Sequence, residues 1–368
     1  MSALLAGLKH YTASTTAVVT VTDNGGSSGR LRNDFDMVAP GDLRNCLIAL
    51  ADVDPIIAKV FQYRFHEAEF KDHNFGNLFI TVLTRVVGNF GDSIRILNDL
   101  LNVRGRVIPA SSAKVSLVAH HVDGFKSTGE VEITRSRRRV DRIELRPSPV
   151  PLSREIREAV EAADLFLFGP GSLFTSVIPN LLLEGVMEAI NANGSPRVYI
   201  GNIMTQPGET DGFQLSDHVR ALRRHVGENF PDWVISHRGA LPRKVLEKYA
   251  AEGAKPVADD LEGKPEFASV RVISGDFFHG QGSSDGMARH DSQTLARAIH
   301  EAFLAPLVAG RAPGGDAPLS RPRRGAGVPA GSREGTDGAA VARPRQGSAG
   351  LEPAVTPPRQ AHGTRTLD

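Results

Sequence analysis

The residues best suited to chemistry lie in short polar runs that follow apolar ones. Thr22-Asp23-Asn24-Gly25-Gly26-Ser27-Ser28-Gly29-Arg30 comes directly after a β-branched stretch. Glycines let backbone N–H groups approach an anion closely, and the Ser27 and Ser28 hydroxyls add donors. Arg30 and Arg32 could complete a phosphate site with forked, charge-assisted bonds. The plain alternative is a flexible connection made of turn residues. Gly25-x-Ser27-x-Gly29 formally matches a hydrolase nucleophile elbow, but Ser27 lies several residues beyond the end of the apolar run, which argues against that role.

Four further runs have similar character. In Pro40-Gly41-Asp42-Leu43-Arg44-Asn45, Asp42 reads either as a helix N-cap or, with Asp23, as a magnesium ligand beside a phosphate. In His73-Asn74-Phe75-Gly76-Asn77 the amides of Asn74 and Asn77 suit a base or sugar and His73 a phosphate, while capping is the alternative. Gly169-Pro170-Gly171-Ser172-Leu173-Phe174-Thr175-Ser176 begins like a dinucleotide fingerprint, but Phe174 stands where the third glycine belongs. Gly201-Asn202-Ile203-Met204-Thr205-Gln206 suits a ribose, sugar or base. The candidate binding set is therefore Asp23, Asn24, Gly25, Gly26, Ser27, Ser28, Arg30, Asp42, Asn45, His73, Asn74, Asn77, Gly169, Gly171, Ser172, Thr175, Asn202, Thr205 and Gln206. Asp23 and Asp42 are the candidates for catalysis and for a metal. No P-loop, H-E-x-x-H, paired C-x-x-C or kinase signature occurs.

These runs need a scaffold that brings them together. Thr16 to Thr22, Asp164 to Phe168, Arg197 to Gly201 and Trp233 to Ser236 read as buried strands, each followed by a loop and a helix. Asp42 to Leu50, Asn77 to Val87 and Ser153 to Ala163 carry helical spacing. Strand–loop–helix repetition predicts an α/β fold with a mostly parallel sheet, whose ligand loops emerge at the carboxyl ends of the strands. From about 107 to 146 the short runs VSLVAHHV, EVEITRS and VDRIEL predict an antiparallel insertion. Its arginines (Arg135, Arg137, Arg138, Arg139, Arg142) read as a solvated hairpin rather than a nucleic-acid patch.

Of 368 residues, 40% are hydrophobic and 23% charged, with a net charge of +1. That balance fits a globular core over residues 1 to 305 and does not argue for nucleic acid or an anionic membrane. Cys46 is the only cysteine, so neither an internal disulfide nor a cysteine-rich zinc site can form, and a reduced compartment follows. Neither a signal peptide nor an apolar run of membrane-spanning length is evident, so the expectation is a cytoplasmic protein without membrane insertion. From 306 to 368 the chain lacks Ile, Phe, Tyr and Trp and is rich in Gly, Pro, Ala and Arg, which predicts a disordered tail.

Taken in order, TVTDNGGSSGRLR, PGDLRNCLIAL, HNFGNLF, GPGSLFTSVIPNLL and YIGNIMTQPGETDG resemble the YvcK-like gluconeogenesis factors of the CofD-like superfamily, with RHDSQTLARAI fitting the family's C-terminal helix. The resemblance covers roughly Ala3 to Leu304. It implies a Rossmann-like three-layer αβα sandwich and a UDP-sugar ligand such as UDP-N-acetylglucosamine. It also implies a regulatory role in central carbon balance, cell-wall precursor supply and cell shape, through a protein partner, and leaves a homo-oligomer open. The transferase branch of the superfamily instead moves a phospholactyl group from a guanylated donor to a deazaflavin alcohol, with magnesium.

Two departures stand out. The resemblance implies a strand and a G-G-G-T-G loop ahead of the helix at Met1. Neither is in this sequence, through a misplaced start or a true loss, which predicts a gap in the sheet beside Thr16 to Thr22. The transferase branch also has a carboxylate where this chain has Asn24, and an amide can serve neither as general base nor as anionic metal ligand. The leading reading is therefore a nucleotide-sugar-binding regulatory protein, with a magnesium-dependent transferase of the 2-phospho-L-lactate type as the alternative.

Overall fold

The computed structural model describes residues 1–67, 70–279 and 287–310. Helix α1 (Ser2–Leu8) precedes strand β1 (Thr16–Val19), and four segments follow: α2 (Gly26–Asp34), α3 (Gly41–Leu50), α4 (Pro55–Gln62) and α5 (Phe75–Val87). Next come α6 (Phe90–Leu100) and β2 (Arg106–Pro109). A small excursion contains β3 (Ser116–His121), β4 (Lys126–Thr128), α7 (Glu130–Ser136) and β5 (Val140–Arg146). The chain then returns through α8 (Arg154–Ala162), β6 (Phe166–Phe168), a π-helical turn at Leu173–Val177, α9 (Ile178–Leu181) and α10 (Val186–Asn193). Strands β7 (Arg197–Ile200), β8 (Trp233–His237) and β9 (Arg271–Gly275) alternate with α11 (Leu215–Val226) and α12 (Arg243–Ala251). Helices α13 (Ser292–Ile299) and α14 (Ala305–Val308) complete the described chain.

The local signals are those of the sequence. Asn74 caps α5 by accepting from the Asn77 N–H, Ser153 caps α8 by accepting from Ile156, and Gly88 closes α5 at φ 80°. Strands β6, β7, β8 and β9 pair in that order, all parallel, and β1 pairs with β2 in parallel. Their side chains divide between the two faces. Tyr199 and Val234 enter one core with Val160 and Leu222, whereas Val198, Ile200 and Ile235 enter another with Leu4, Leu295 and Phe303. Alternation of fully buried residues on both faces is what a parallel sheet covered by helices on each side requires. The fold is a mixed α/β sandwich with mostly parallel sheets and a small antiparallel one.

Two expectations change. Residues 106–109 pair with β1 in parallel, so the antiparallel part begins at β3, which lies between β4 and β5. The segment EVEITRS is helix α7, not a strand. Glu130 and Glu132 sit in its first turn, where acidic groups favour the positive end of a helix, and Ile133 is its buried residue. The expected gap is present: β1 and β6 belong to separate sheets with no pairing between them. Of the tail expected over 306–368, Pro306 to Val308 lie in α14, and everything from 311 on lies outside the described residues. Among the described residues no helix is long and apolar enough to cross a membrane.

Candidate functional site

The run after β1 is loop only as far as Gly25, and Gly26 already opens α2. Asp23 Oδ1 accepts from the Gly25 N–H at 2.8 Å, which folds the loop back on itself. Asn24 points the other way: its Oδ1 accepts from the Val131 N–H at 3.0 Å and so satisfies the open end of α7. Ser27 is buried, with its hydroxyl accepting from the Asn74 N–H and Asn77 Nδ2, each at 3.3 Å, and lying 3.4 Å from His73 Nδ1. A serine tied into a helix by these contacts is a structural strut, and the elbow reading finds no support.

Several candidates turn out to do framework work. Asn74 caps α5, and its Nδ2 donates to the Gln62 and Tyr63 carbonyls, both at 3.0 Å. Asn77 Oδ1 accepts from Arg44 at 2.9 Å. Arg32 is buried and donates to the Val21 and Val115 carbonyls and to Ser116 Oγ, so it holds the loop's underside and does not face a ligand. Arg30 is exposed and donates to the Lys71 carbonyl. Asp42 is no N-cap: the helix starts at Gly41 after Pro40, and the Asp42 side chain makes no capping bond. Gly41 is needed here, because a Cβ would lie 2.3 Å from Ser28 Oγ.

The loops after β6 and β7 form the second half. Gln206 Nε2 donates to Ser172 Oγ at 2.7 Å, and Asn202 Nδ2 donates to Gln206 Oε1 at 3.2 Å, so a relay of side chains ties the two loops together. Asn202 Oδ1 is buried with no partner among the described residues. Thr205 is buried and serves structure, its hydroxyl accepting from the Lys255 N–H at 2.9 Å. Thr175 donates to Glu209, which is 5% exposed and also accepts from the Phe174 and Thr175 N–H groups. Burial nevertheless pushes the Glu209 carboxyl up to about 7.

What joins the halves is a residue the sequence reading missed. Glu130, first in α7, has its carboxyl pushed up to about 8, by burial first and then by the charges of Asp23, Asp42 and Glu209. Burial and Asp23 also raise Asp42, against the Met1 amine and Arg44. The Met1 amine donates to the Pro170 carbonyl at 2.6 Å, and one cavity is lined by Asp42, Asn45, Gly169, Gly171 and Ser176. Carboxylates from the β1 loop, α3, α7 and the β7 loop therefore share one electrostatic neighbourhood. The His73 imidazole is lowered by burial first and then by Arg30, with Asp34 and Asp72 acting the other way.

The family model described as 2-phospho-L-lactate transferase CofD matches residues 1–278. The chain belongs to the CofD family. Within it, the chain is similar to proteins named gluconeogenesis factor. It is 42% identical over 302 residues to that of Halalkalibacterium halodurans, covering 82% of this chain and 92% of the relative. It is also 42% identical over 263 residues to that of Bacillus subtilis, covering 71% and 83%. A crystal structure of a Bacillus halodurans protein superposes with a TM-score of 0.77 at 42% identity, covering 81% of this chain and 95% of the other.

For this CofD-family chain a magnesium ion is a question of donors. Among the described residues no group of three His, Cys, Asp or Glu has metal-holding geometry. Asp23 and Asp42, whose charges act on each other, are the residues that would hold Mg²⁺, an ion that takes one or two carboxylates and ligand phosphates. Glu130 escaped the sequence reading because its segment looks like an alternating strand. Its one available signal was Gly129-Glu130, a glycine followed by an acid, as at a helix start.

Proposed function

We propose that this protein is a regulatory binder of a phosphorylated nucleotide, with a UDP-sugar as ligand and Mg²⁺ between its phosphates and the carboxylates. The observation that carries this reading is the convergence of Asp23, Asp42, Glu130 and Glu209 with the Asn202–Gln206–Ser172 relay. Phosphates beside several carboxylates need a cation to offset repulsion, which is why the ion belongs to the proposal. The orphaned Asn202 Oδ1 suits a ribose hydroxyl or a base N–H, since a buried acceptor without a partner is costly until a ligand satisfies it. Among the described residues no serine or cysteine is held as an activated nucleophile; burial pushes the Cys46 thiol up to about 12. The names of the relatives fit a role in carbon balance, which in this reading extends to cell-wall precursor supply and cell shape through a protein partner.

Calorimetric titration with UDP-N-acetylglucosamine, with and without Mg²⁺, tests the reading. Magnesium-dependent heat is expected, and silence at millimolar ligand would count against it. A second reading is favoured by the match to the transferase family and by Glu130, whose carboxyl near 8 suits proton transfer at neutral pH. It is a Mg-dependent transferase of the 2-phospho-L-lactate type, acting on a guanylated donor and a deazaflavin acceptor. Turnover of such a pair that disappears in Asp42→Ala would favour it over pure binding.

A further inference from the structure

We infer that the exposed face of α4 is a docking surface for a second copy of this chain, whose own α4 lies antiparallel against it across a twofold axis. A surface helix ordinarily turns its apolar side inward. Helix α8 does so, with Ile156 and Val160 buried and Arg154, Glu155, Arg157 and Glu158 outward. Helix α4 does the reverse. Phe61 is its one buried residue, while Ile56, Val60 and Tyr63, spaced i, i+4 and i+7, stand exposed along one stripe with Ile57 beside it. The stripe continues past the helix: Tyr63 packs edge-on against Phe65, and Phe65 against Phe70, which is 55% exposed. Helix α5 packs on α4 through Phe61, Phe75 and Phe79 and leaves Val82 and Val86 outward, at 62% and 79% exposure.

Area and charge select the occupant. Together the outward side chains of α4, α5 and Phe70 expose on the order of 600 Å² of apolar surface, the upper end of what a lone soluble protein shows in one patch. A dimer interface takes about 800 Å² from each copy, about two thirds of it apolar, so this face supplies one copy's share. The charges are polarised along α4: Asp52 and Asp54 precede it, and Arg64 follows it. Among the described residues Arg64 meets no carboxylate, and its guanidinium donates to the Asp72 carbonyl instead. A twofold axis through the middle of the stripe, between Lys59 and Val60, sets Asp54 of each copy beside Arg64 of the other. It also lays the two helix dipoles head to tail. A parallel pairing would set acid on acid and base on base. Lys59 flanks the stripe, and its flexible stem carries the ammonium out to water. A lipid surface is the poorer occupant, because a helix that lies in a membrane interface is rich in Lys and Arg, whereas here acids accompany the cations.

Sedimentation velocity of the full chain over about 1 to 100 µM, without nucleotide or magnesium, tests the contact independently of any ligand site. The parent is expected to sediment as a dimer at the upper end of that range. Val60→Asp, which sets two carboxylates against each other at the axis, should raise the dimer Kd by at least about 100-fold. Asp54→Arg and Arg64→Asp should each weaken the dimer about tenfold, and an equimolar mixture of the two should recover the parent's affinity to within a few-fold, because both ion pairs re-form with their signs exchanged. Recovery on mixing also shows that neither variant had simply misfolded. A parent that stays monomeric throughout, a dimer that Val60→Asp leaves intact, or a mixture as weak as its components would each overturn the inference. So would a monomeric parent that binds phosphatidylglycerol vesicles and loses that binding in Val60→Asp.

Discussion

Glu130 offers the sharpest test of how the site is assembled. Its carboxyl is raised from an ordinary 4.5 to about 8 in the folded protein. Between those values the unfolded chain releases the Glu130 proton while the folded chain keeps it, so the unfolded state binds fewer protons and stability falls as pH rises. A gap of that width is worth roughly 5 kcal/mol at 1.36 kcal/mol per tenfold. Partial solvent contact and relaxation of Asp23 and Asp42 reduce it, so the expected loss from this one residue between pH 5 and 8.5 is about 2–5 kcal/mol. In Glu130→Gln that part of the slope disappears. The variant should match the parent near pH 5 and exceed its stability near pH 8.5, with Glu209 contributing the slope that remains up to about pH 7. Urea unfolding at half-unit steps from pH 5 to 8.5 measures this. Parallel curves for the two proteins would show that Glu130 does not share the neighbourhood of the other carboxylates.

Other outcomes follow from particular contacts. Asn74→Ala removes the cap of α5 and leaves the Gln62 and Tyr63 carbonyls short of a donor, so urea unfolding should show a loss of about 2–4 kcal/mol. Arg32→Ala should cost about 3–5 kcal/mol, because two buried carbonyls and the half-buried Ser116 hydroxyl lose a charged donor, whereas Arg30→Ala should change stability by under about 0.5 kcal/mol. Gly7→Ala should lower Tm markedly, since the new Cβ would stand 2.0 Å from the Ser292 carbonyl oxygen where α1 meets α13; a Tm equal to the parent's would contradict that packing. Asp42→Asn should abolish magnesium-dependent nucleotide binding in calorimetry while leaving the unfolding midpoint within a few degrees of the parent's.

Much of the scaffold was legible because its signals are local. Ser153 and Asn74 cap helices as their side chains can only do at such positions, and the β-branched run at Thr16 and the apolar run at Phe166 became parallel strands. The excursion was read less well for a physical reason. EVEITRS alternates like a strand, but its end is satisfied by Asn24, more than a hundred residues earlier, and no window of sequence contains that contact. Arg32 shows the same limit from the other direction. Its charge and its place in a glycine-rich run suggest an anion contact, yet the acceptors that claim it lie on Val115 and Ser116. Glu130 is raised by burial first and then by charges on three other segments, none of which lies in its own window of sequence.

The bond from Val131 to Asn24 makes the first ligand loop and the antiparallel excursion one mechanical part. Gly129 sits so close to that amide that a methyl group there would lie 2.2 Å from its nitrogen, so the two cannot slide past each other. Whatever draws the turn at Asp23 toward the rim therefore drags α7 with it, and α7 pulls on the β4 edge to which it is joined. Occupancy at the rim would then be written on an outer surface formed by the excursion, where another protein could read it without touching the ligand.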